Sequence, residues 1–262
     1  MDLGFGGDVA TYYAKYRRGY PPAAVDAIAE AFGLRTDDIV VDLGCGTGQL
    51  SLPLAARVRA VVGMDPEPDM LVLARRAAEE RAVTNTSWIV GADRDLPALG
   101  ALVGNRRVGT VTIAVAIHWM DRDTLFRAAR PLLRPGGGIA VVTNGTPLWL
   151  QDTDWSRTLR DHLQRWLGRP LTGSCQTDIE GRQLNRAALE SAGYNVTESS
   201  VDYDAEVTIG DLIGGVFSAM SADRLPPPRQ REEFAAQLRT ALGPHEPLTE
   251  HVRVSLQFGH AT

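Results

Sequence analysis

As far as Thr143, short apolar, β-branched runs alternate with longer stretches of helical spacing, the sequence form of strand–helix units wound around a parallel sheet. Residues 39–43, 60–64, 87–90, 110–116 and 139–143 are such runs, each bounded by turn residues, as strands buried on both faces are. Between them, the spacing predicts a helix over 68–82, where Met70, Leu71, Leu73 and Ala74 form an apolar stripe beside Arg75, Arg76, Glu79 and Glu80. It predicts a second over 124–133, stopped by Arg134-Pro135-Gly136-Gly137-Gly138 as a tight turn into the next strand. Upstream, 21–32 reads as a helix opened by prolines and closed near Gly33. Four tyrosines within nine residues, Tyr12 to Tyr20, precede it. After Thr143 the rhythm breaks. Residues 144–179 carry Trp149, Trp155 and Trp166 in a helix-like pattern with polar interruptions, as a lid would. Residues 183–192 are helical in spacing and closed by Gly193, 194–207 alternate as a strand does, and Pro226-Pro227-Pro228 separates two further helical stretches. A period-two strand over 252–258 follows.

With 44% apolar and 23% charged positions in 262 residues, this pattern describes a folded chain with a substantial core rather than a disordered one. The net charge of −5 gives the whole molecule no pull toward nucleic acid or an anionic membrane. Cys45 and Cys175 cannot build a disulfide framework or a four-ligand zinc site alone. The histidines show no metal-ligand spacing, so no metal is expected. Lys15 is the only lysine, which removes most candidates for a Schiff-base or phosphate-loop lysine. No leader pattern stands in residues 1–20 and no apolar run approaches ~20 residues, so a cytoplasmic protein is expected.

The most informative segment is Ile39-Val40-Val41-Asp42-Leu43-Gly44-Cys45-Gly46-Thr47-Gly48-Gln49-Leu50, a buried strand running through glycines toward a helix. Such a turn brings bare backbone, and the N–H groups of the following helix, against a ligand of nucleotide type. A dinucleotide fingerprint would place its third glycine or alanine at Gln49, whereas here the third glycine comes one residue early, at Gly48. Asp42 would oppose a pyrophosphate but suits an ammonium group. Asp65, 21 residues past Gly44, stands where an acid at the end of the second strand accepts hydrogen bonds from ribose hydroxyls.

These residues resemble the class I S-adenosylmethionine-dependent methyltransferases. Among them they resemble the small-molecule branch of type 11, trans-aconitate and ubiquinone/menaquinone methyltransferases. Val41 to Gly48 fits the family's glycine motif at every position. Asp65 matches the ribose-binding acid, Ala92-Asp93 the pair that meets adenine, and Leu133-Arg134-Pro135-Gly136-Gly137 the turn before the fifth strand. Ala116-Ile117-His118-Trp119-Met120-Asp121 looks like the His-Trp motif after strand four, and Tyr13 to Pro21 like the N-terminal Tyr/Arg/Tyr-Pro segment. Arg18 stands where the family often has proline.

The resemblance implies an α/β fold, a Rossmann-like seven-stranded sheet with its last strand antiparallel, N-terminal helices and an inserted helical lid. It divides the chain into an N-terminal cap (1–35), a cofactor-binding core (36–144), a lid over the acceptor (145–182) and a C-terminal return to the core (183–262). S-adenosylmethionine is the implied cofactor and S-adenosylhomocysteine its product. The implied cofactor-binding residues are Tyr16, Arg17, Asp42, Gly44, Gly46, Gly48, Asp65, Pro66, Met70, Ala92, Asp93 and Ala116, with Arg17 toward the carboxylate and Asp65 toward the ribose. Tyr13, Trp119 and Trp149 are expected at the acceptor, with His118 as general base or orienting group. Each has a plainer reading: a tight turn for the glycines, packing for the tyrosines, a loop-fixing hydrogen bond for His118 and core for the tryptophans. The expected partner is a small-molecule acceptor, with no nucleic acid and no membrane, and the chain a monomer or homodimer. The arginine-heavy, alanine-rich composition suits a GC-rich bacterium and a tailoring step in specialised metabolism. A non-catalytic cofactor binder and an NAD(P)-dependent oxidoreductase stand as alternatives, the latter opposed by Gln49.

Overall fold

The computed structural model describes residues 4–171 and 177–261; Cys175, expected in the lid, lies outside the described residues. Two helices, α1 (Asp8–Tyr16) and α2 (Pro22–Ala31), lead into β1 (Ile39–Leu43), α3 (Ser51–Ala55), β2 (Ala60–Asp65), α4 (Pro68–Glu80) and β3 (Thr86–Val90). Then come α5 (Leu96–Val103), β4 (Val108–Ala114), α6 (Arg122–Ala129), β5 (Leu133–Asn144), α7 (Asp154–Leu167) and α8 (Ile179–Ser191). The described chain finishes with β6 (Tyr194–Val207), α9 (Ile209–Phe217), α10 (Pro228–Leu242) and β7 (Leu248–Ala261). One seven-stranded sheet has the order β3-β2-β1-β4-β5-β7-β6. Its first five strands run parallel and β7 is antiparallel to both neighbours, as expected. Strand order reverses between β1 and β4, so a crevice opens beyond the carboxyl ends of those strands, the usual ligand position in an open α/β sheet.

Because side chains alternate along a strand, each buried strand feeds two cores. Val41, Val62, Val111 and Val141 face α5, α6 and α8, where Leu99, Phe126 and Leu189 cover them. Val40, Val61, Ala140 and Leu256 face α2 and α3, against Ile28 and Leu54. A third core lies off the sheet. Trp155 and Leu159 of α7, Leu212 and Phe217 of α9 and Phe234 of α10 pack together there with Leu248 at the start of β7. Thr153 and the Thr208–Asp211 capping box fix the starts of α7 and α9.

Several expected boundaries move. The helix expected over 124–133 spans Arg122–Ala129, followed by one 3₁₀ turn at Arg130–Leu132, because Pro131 cannot continue the α-helical hydrogen bonding. The glycines expected as a turn lie inside β5 as an irregularity: Val108 pairs with Leu133, but Thr110 pairs with Gly138. The strand expected over 110–116 ends at Ala114, since Val115 adopts φ +53°, outside the extended region. The helix expected over 183–192 starts at Ile179, where the Asp178 carboxylate caps the Gly181 N–H at 2.8 Å. The last strand extends over Leu248–Ala261.

Candidate active site

The chain leaves β1 through Gly44 at φ +64°, and a Cβ there would stand 2.5 Å from the Cβ of Ala116, just past β4. Left-handed backbone and close approach together restrict this position to glycine. Four N–H groups of the turn already have partners. Those of Gly44 and Cys45 donate to the Met64 carbonyl (2.8 and 3.2 Å) and that of Gly48 to the Cys45 carbonyl (3.0 Å). The Gly46 N–H donates to Asp65 Oδ2 at 2.9 Å. The expected picture of a glycine turn opening straight onto free helix N–H groups is therefore corrected: α3 begins only at Ser51, and these amides are spent within the protein. A phosphate here would meet the Asp65 carboxylate, and these four amides would not be free to receive it.

Two buried carboxylates mark two adjoining clefts, Asp65 in the first and Asp42 in the second. Asp65, 7% exposed, takes the Glu67 N–H on Oδ1 (3.0 Å) and the Gly46 N–H on Oδ2. Each oxygen keeps a further acceptor direction. Burial pushes its pKa up, opposed by those two N–H groups. Asp42, 1% exposed, accepts from the Ser51 hydroxyl (2.5 Å) and the Thr112 hydroxyl (2.7 Å). Burial pushes its pKa up to about 6 against the pull of both hydroxyls, with Asp65 adding to the rise. From Asp65 the first cleft runs past Pro66, Met70, Ala92 and Asp93 to Gly44 and Ala116, with Phe5 and Tyr13 across it. A ribose diol fits the Asp65 end and an ammonium fits Asp42, so these residues suit the cofactor that the sequence implied.

The second cleft shares Phe5, Tyr13, Gly44, Val115 and Trp119 with the first and continues over the ends of β4 and β5. His118, Tyr20, Asn144, Leu148 and Trp149 line it. Arg17 enters it from the end of α1, its Nε donating to the Ser218 hydroxyl at 2.9 Å and its guanidinium 5.2 Å from the Tyr13 ring centroid. His118 has its pKa pushed down to about 4, first by burial, then by Arg122 and Arg17, so its imidazole is uncharged at neutral pH. Its ring lies 5.1 Å from that of Trp119.

Not every expected site residue gathers at the cofactor cleft. Gly48 lines neither cleft; a Cβ on it would meet Trp88 at 3.1 Å, so it serves the turn and its packing. Tyr16 borders only the second cleft, its ring against Gly214 of α9, whereas Tyr13, expected at the acceptor, borders both and lies over Gly46. Of the three lid tryptophans only Trp149 lines a cleft. Trp155 is buried and donates Nε1–H to the Thr249 carbonyl (2.8 Å), and Trp166 packs 4.6 Å from Phe234. Sequence reasoning missed Phe5, Val115, Met120 and Asn144. Asn144 donates to the Gly19 carbonyl at 3.1 Å, while its Oδ1 is buried without a partner among the described residues; its one signal is an amide closing an apolar strand.

The chain matches a methyltransferase-domain family model over residues 40–137. A methyltransferase of Mycobacterium tuberculosis, Rv3342, is 35% identical over 202 residues, spanning 77% of this chain and 75% of that one. A ubiquinone biosynthesis O-methyltransferase of Azorhizobium caulinodans is 33% identical over 165 residues, 61% of this chain and 59% of its own. Among solved structures, YcgJ of Bacillus subtilis aligns with a TM-score of 0.55 at 16% identity, over 91% of this chain and 97% of that one. A geranyl diphosphate methyltransferase in complex with S-adenosylmethionine aligns at 0.51 and 18%, over 99% and 93%. These likenesses extend from the glycine turn through most of the sheet, and by them the chain belongs to the class I S-adenosylmethionine-dependent methyltransferases.

Proposed function

We propose that the chain methylates an O, N, S or C nucleophile of a small molecule held in the second cleft. The observation that carries this reading is the junction of the two clefts at Gly44, Val115 and Trp119. A nucleoside anchored at Asp65 would direct its sulfur-bearing end through that junction toward His118 and Trp149. A protein that only bound the cofactor would need no second cleft. The name of the Azorhizobium relative, an O-methyltransferase of ubiquinone biosynthesis, points the same way.

When bound, the cofactor supplies an electrophilic methyl on a sulfonium, and the leaving sulfur takes the C–S electron pair as a neutral thioether. The protein's residues do the rest. Asp65 accepts from the ribose hydroxyls and Asp42 from the ammonium, while the terminal nitrogens of Arg17 take the carboxylate. The aromatic face of Tyr13 borders the passage and favours a cation there. Uncharged His118 accepts a hydrogen bond from the nucleophile. With a conjugate acid near 4 it is a weak base, so it receives the proton once the new bond to carbon has made that proton strongly acidic. Positioning can supply ~7–11 kcal/mol, against roughly 3–5 kcal/mol for general-base assistance, so alignment is the larger share.

We place the protein in the bacterial cytoplasm, acting in specialised metabolism as a monomer or homodimer. Among the described residues no helix is long and apolar enough to cross a membrane, and no cluster of His, Cys, Asp or Glu could hold a metal ion. The test is incubation with methyl-labelled S-adenosylmethionine and a small-molecule extract of bacterial cells, followed by mass spectrometry. Label in a low-mass product supports the reading. Label only in protein or nucleic acid, or release of product without any methylated compound, overturns it.

A further inference from the structure

The connector between α1 and α2 is pinned at three successive residues to three different elements. Arg17 is held by Ser218 after α9, Arg18 forms an ion pair with Glu250 of β7, and the Gly19 carbonyl takes the Asn144 amide at the end of β5. Arg17 is extended (φ −78°, ψ +126°), so neighbouring side chains point opposite ways. Arg17 and Arg18 both line the second cleft, and it is Arg18 whose guanidinium is held by Glu250 of the sheet. Glu250 is the conspicuous partner. The buried face of β7 is apolar at Leu248, Val252 and Val254, yet between them stands a carboxylate whose side chain is 2% exposed. Gln151, on the connection between β5 and α7, donates to its Oε2 at 2.8 Å and to the Thr146 carbonyl at 3.3 Å. A charge buried in an apolar stripe persists only with partners, and removing one strands the other.

We propose that Arg18 and Glu250 are positioning residues that hold Arg17 in register with the carboxylate of the cofactor's methionine moiety. The inference rests on the reading of Arg17 given above. Glu250 lines neither cleft and fixes Arg18 at the border of the second, and the Gln151 contact ties the same carboxylate to the loop carrying Leu148 and Trp149. An arginine at the position where the resemblance leads one to expect proline thus has a structural partner that proline could not engage.

The experiment compares two ligands by calorimetry: S-adenosylhomocysteine, which carries the amino-acid end, and 5′-methylthioadenosine, which lacks it. Arg17→Met is the reference and should weaken S-adenosylhomocysteine by about ten- to a hundredfold without changing 5′-methylthioadenosine. Arg18→Met and Glu250→Gln should each weaken S-adenosylhomocysteine by about tenfold, again sparing the truncated ligand. The double variant should be no weaker than either single one, because one interaction is lost once. Arg18→Lys, which keeps the pair, should restore affinity to within about threefold of wild type. If Glu250→Gln does not fold, the Arg18 variants carry the test alone. Unchanged S-adenosylhomocysteine binding in folded Arg18→Met overturns the inference, and so does equal weakening of both ligands. An Arg17→Met variant with no effect overturns the underlying assignment of Arg17 instead.

Discussion

Two substitutions test the cofactor cleft one atom at a time. Asp65→Ala removes the carboxylate that accepts from the Gly46 N–H and is proposed to accept from the ribose. A hydrogen bond to a charged group is worth roughly 1.5–3 kcal/mol, so S-adenosylhomocysteine should bind about ten- to a hundredfold more weakly in calorimetry. Unaltered affinity would remove Asp65 from the site. Gly44→Ala places a methyl 2.5 Å from Ala116 Cβ and 3.2 Å from Met120 Cε at φ +64°. The left-handed conformation alone costs about 1–2 kcal/mol. The melting temperature should fall by several degrees, at roughly 2–4 °C per kcal/mol, and cofactor affinity with it. At this scale the sequence carried what depends on residue type and spacing: the glycine at the turn and the acid at the end of β2. It did not reveal which tyrosine lies over Gly46, because Tyr13 and Tyr16 share one helix face and differ only in the neighbour each finds. Nor did it reveal that the turn's amides are spent on Met64 and Asp65, since hydrogen-bond partners across strands leave no local signature.

The elements were legible wherever burial imposes a period. The parallel strands alternate between two cores and so read as continuous apolar runs, and α4 shows its stripe. Boundaries slipped where a single residue overrides the period: Pro131 shortened α6 and the φ of Val115 ended β4. The third core was legible only as a lid, because α7 meets α9 and α10 after α8 and β6 have intervened in the chain and no local pattern announces such a pairing. Its contact with α1 makes a prediction at this scale. Gly214 lies inside α9, where alanine ordinarily stabilises a helix by about 1 kcal/mol over glycine. Here the added Cβ would stand 2.1–2.4 Å from three ring carbons of Tyr16, so α1 could not keep its seat. Gly214→Ala should leave α9 folded, release α1 to proteolysis and weaken S-adenosylhomocysteine. Adding Tyr16→Ala should return protease resistance. Full affinity and an intact α1 in the single variant would show that the arm does not depend on this seat.

Asp42 and His118 couple the cleft to the stability of the whole molecule, and they act in opposite senses. Asp42 has its pKa raised from 3.8 to about 6, so between those values the native chain holds a proton that the unfolded chain has lost, and acidification stabilises the fold. His118 has its pKa lowered from 6.5 to about 4, so over nearly the same window the unfolded chain holds the extra proton, and acidification destabilises it. At 1.36 kcal/mol per pKa unit, each amounts to roughly 3 kcal/mol at most across the window, with the His118 share reduced by its partial exposure. The wild-type contributions of the pair therefore largely cancel between about pH 4 and 6, and single variants expose them. Relative to wild type, Asp42→Asn should lose stability as pH falls from 6 to 4, and His118→Gln should gain it, in urea unfolding followed at several pH values. The ligand breaks the symmetry. An ammonium beside Asp42 favours its ionised form, so cofactor affinity should decline as pH falls below about 6, and Asp42→Asn should flatten that decline. Parallel pH profiles in wild type and both variants would mean that neither group titrates away from its unfolded value, and would detach Asp42 from the ammonium.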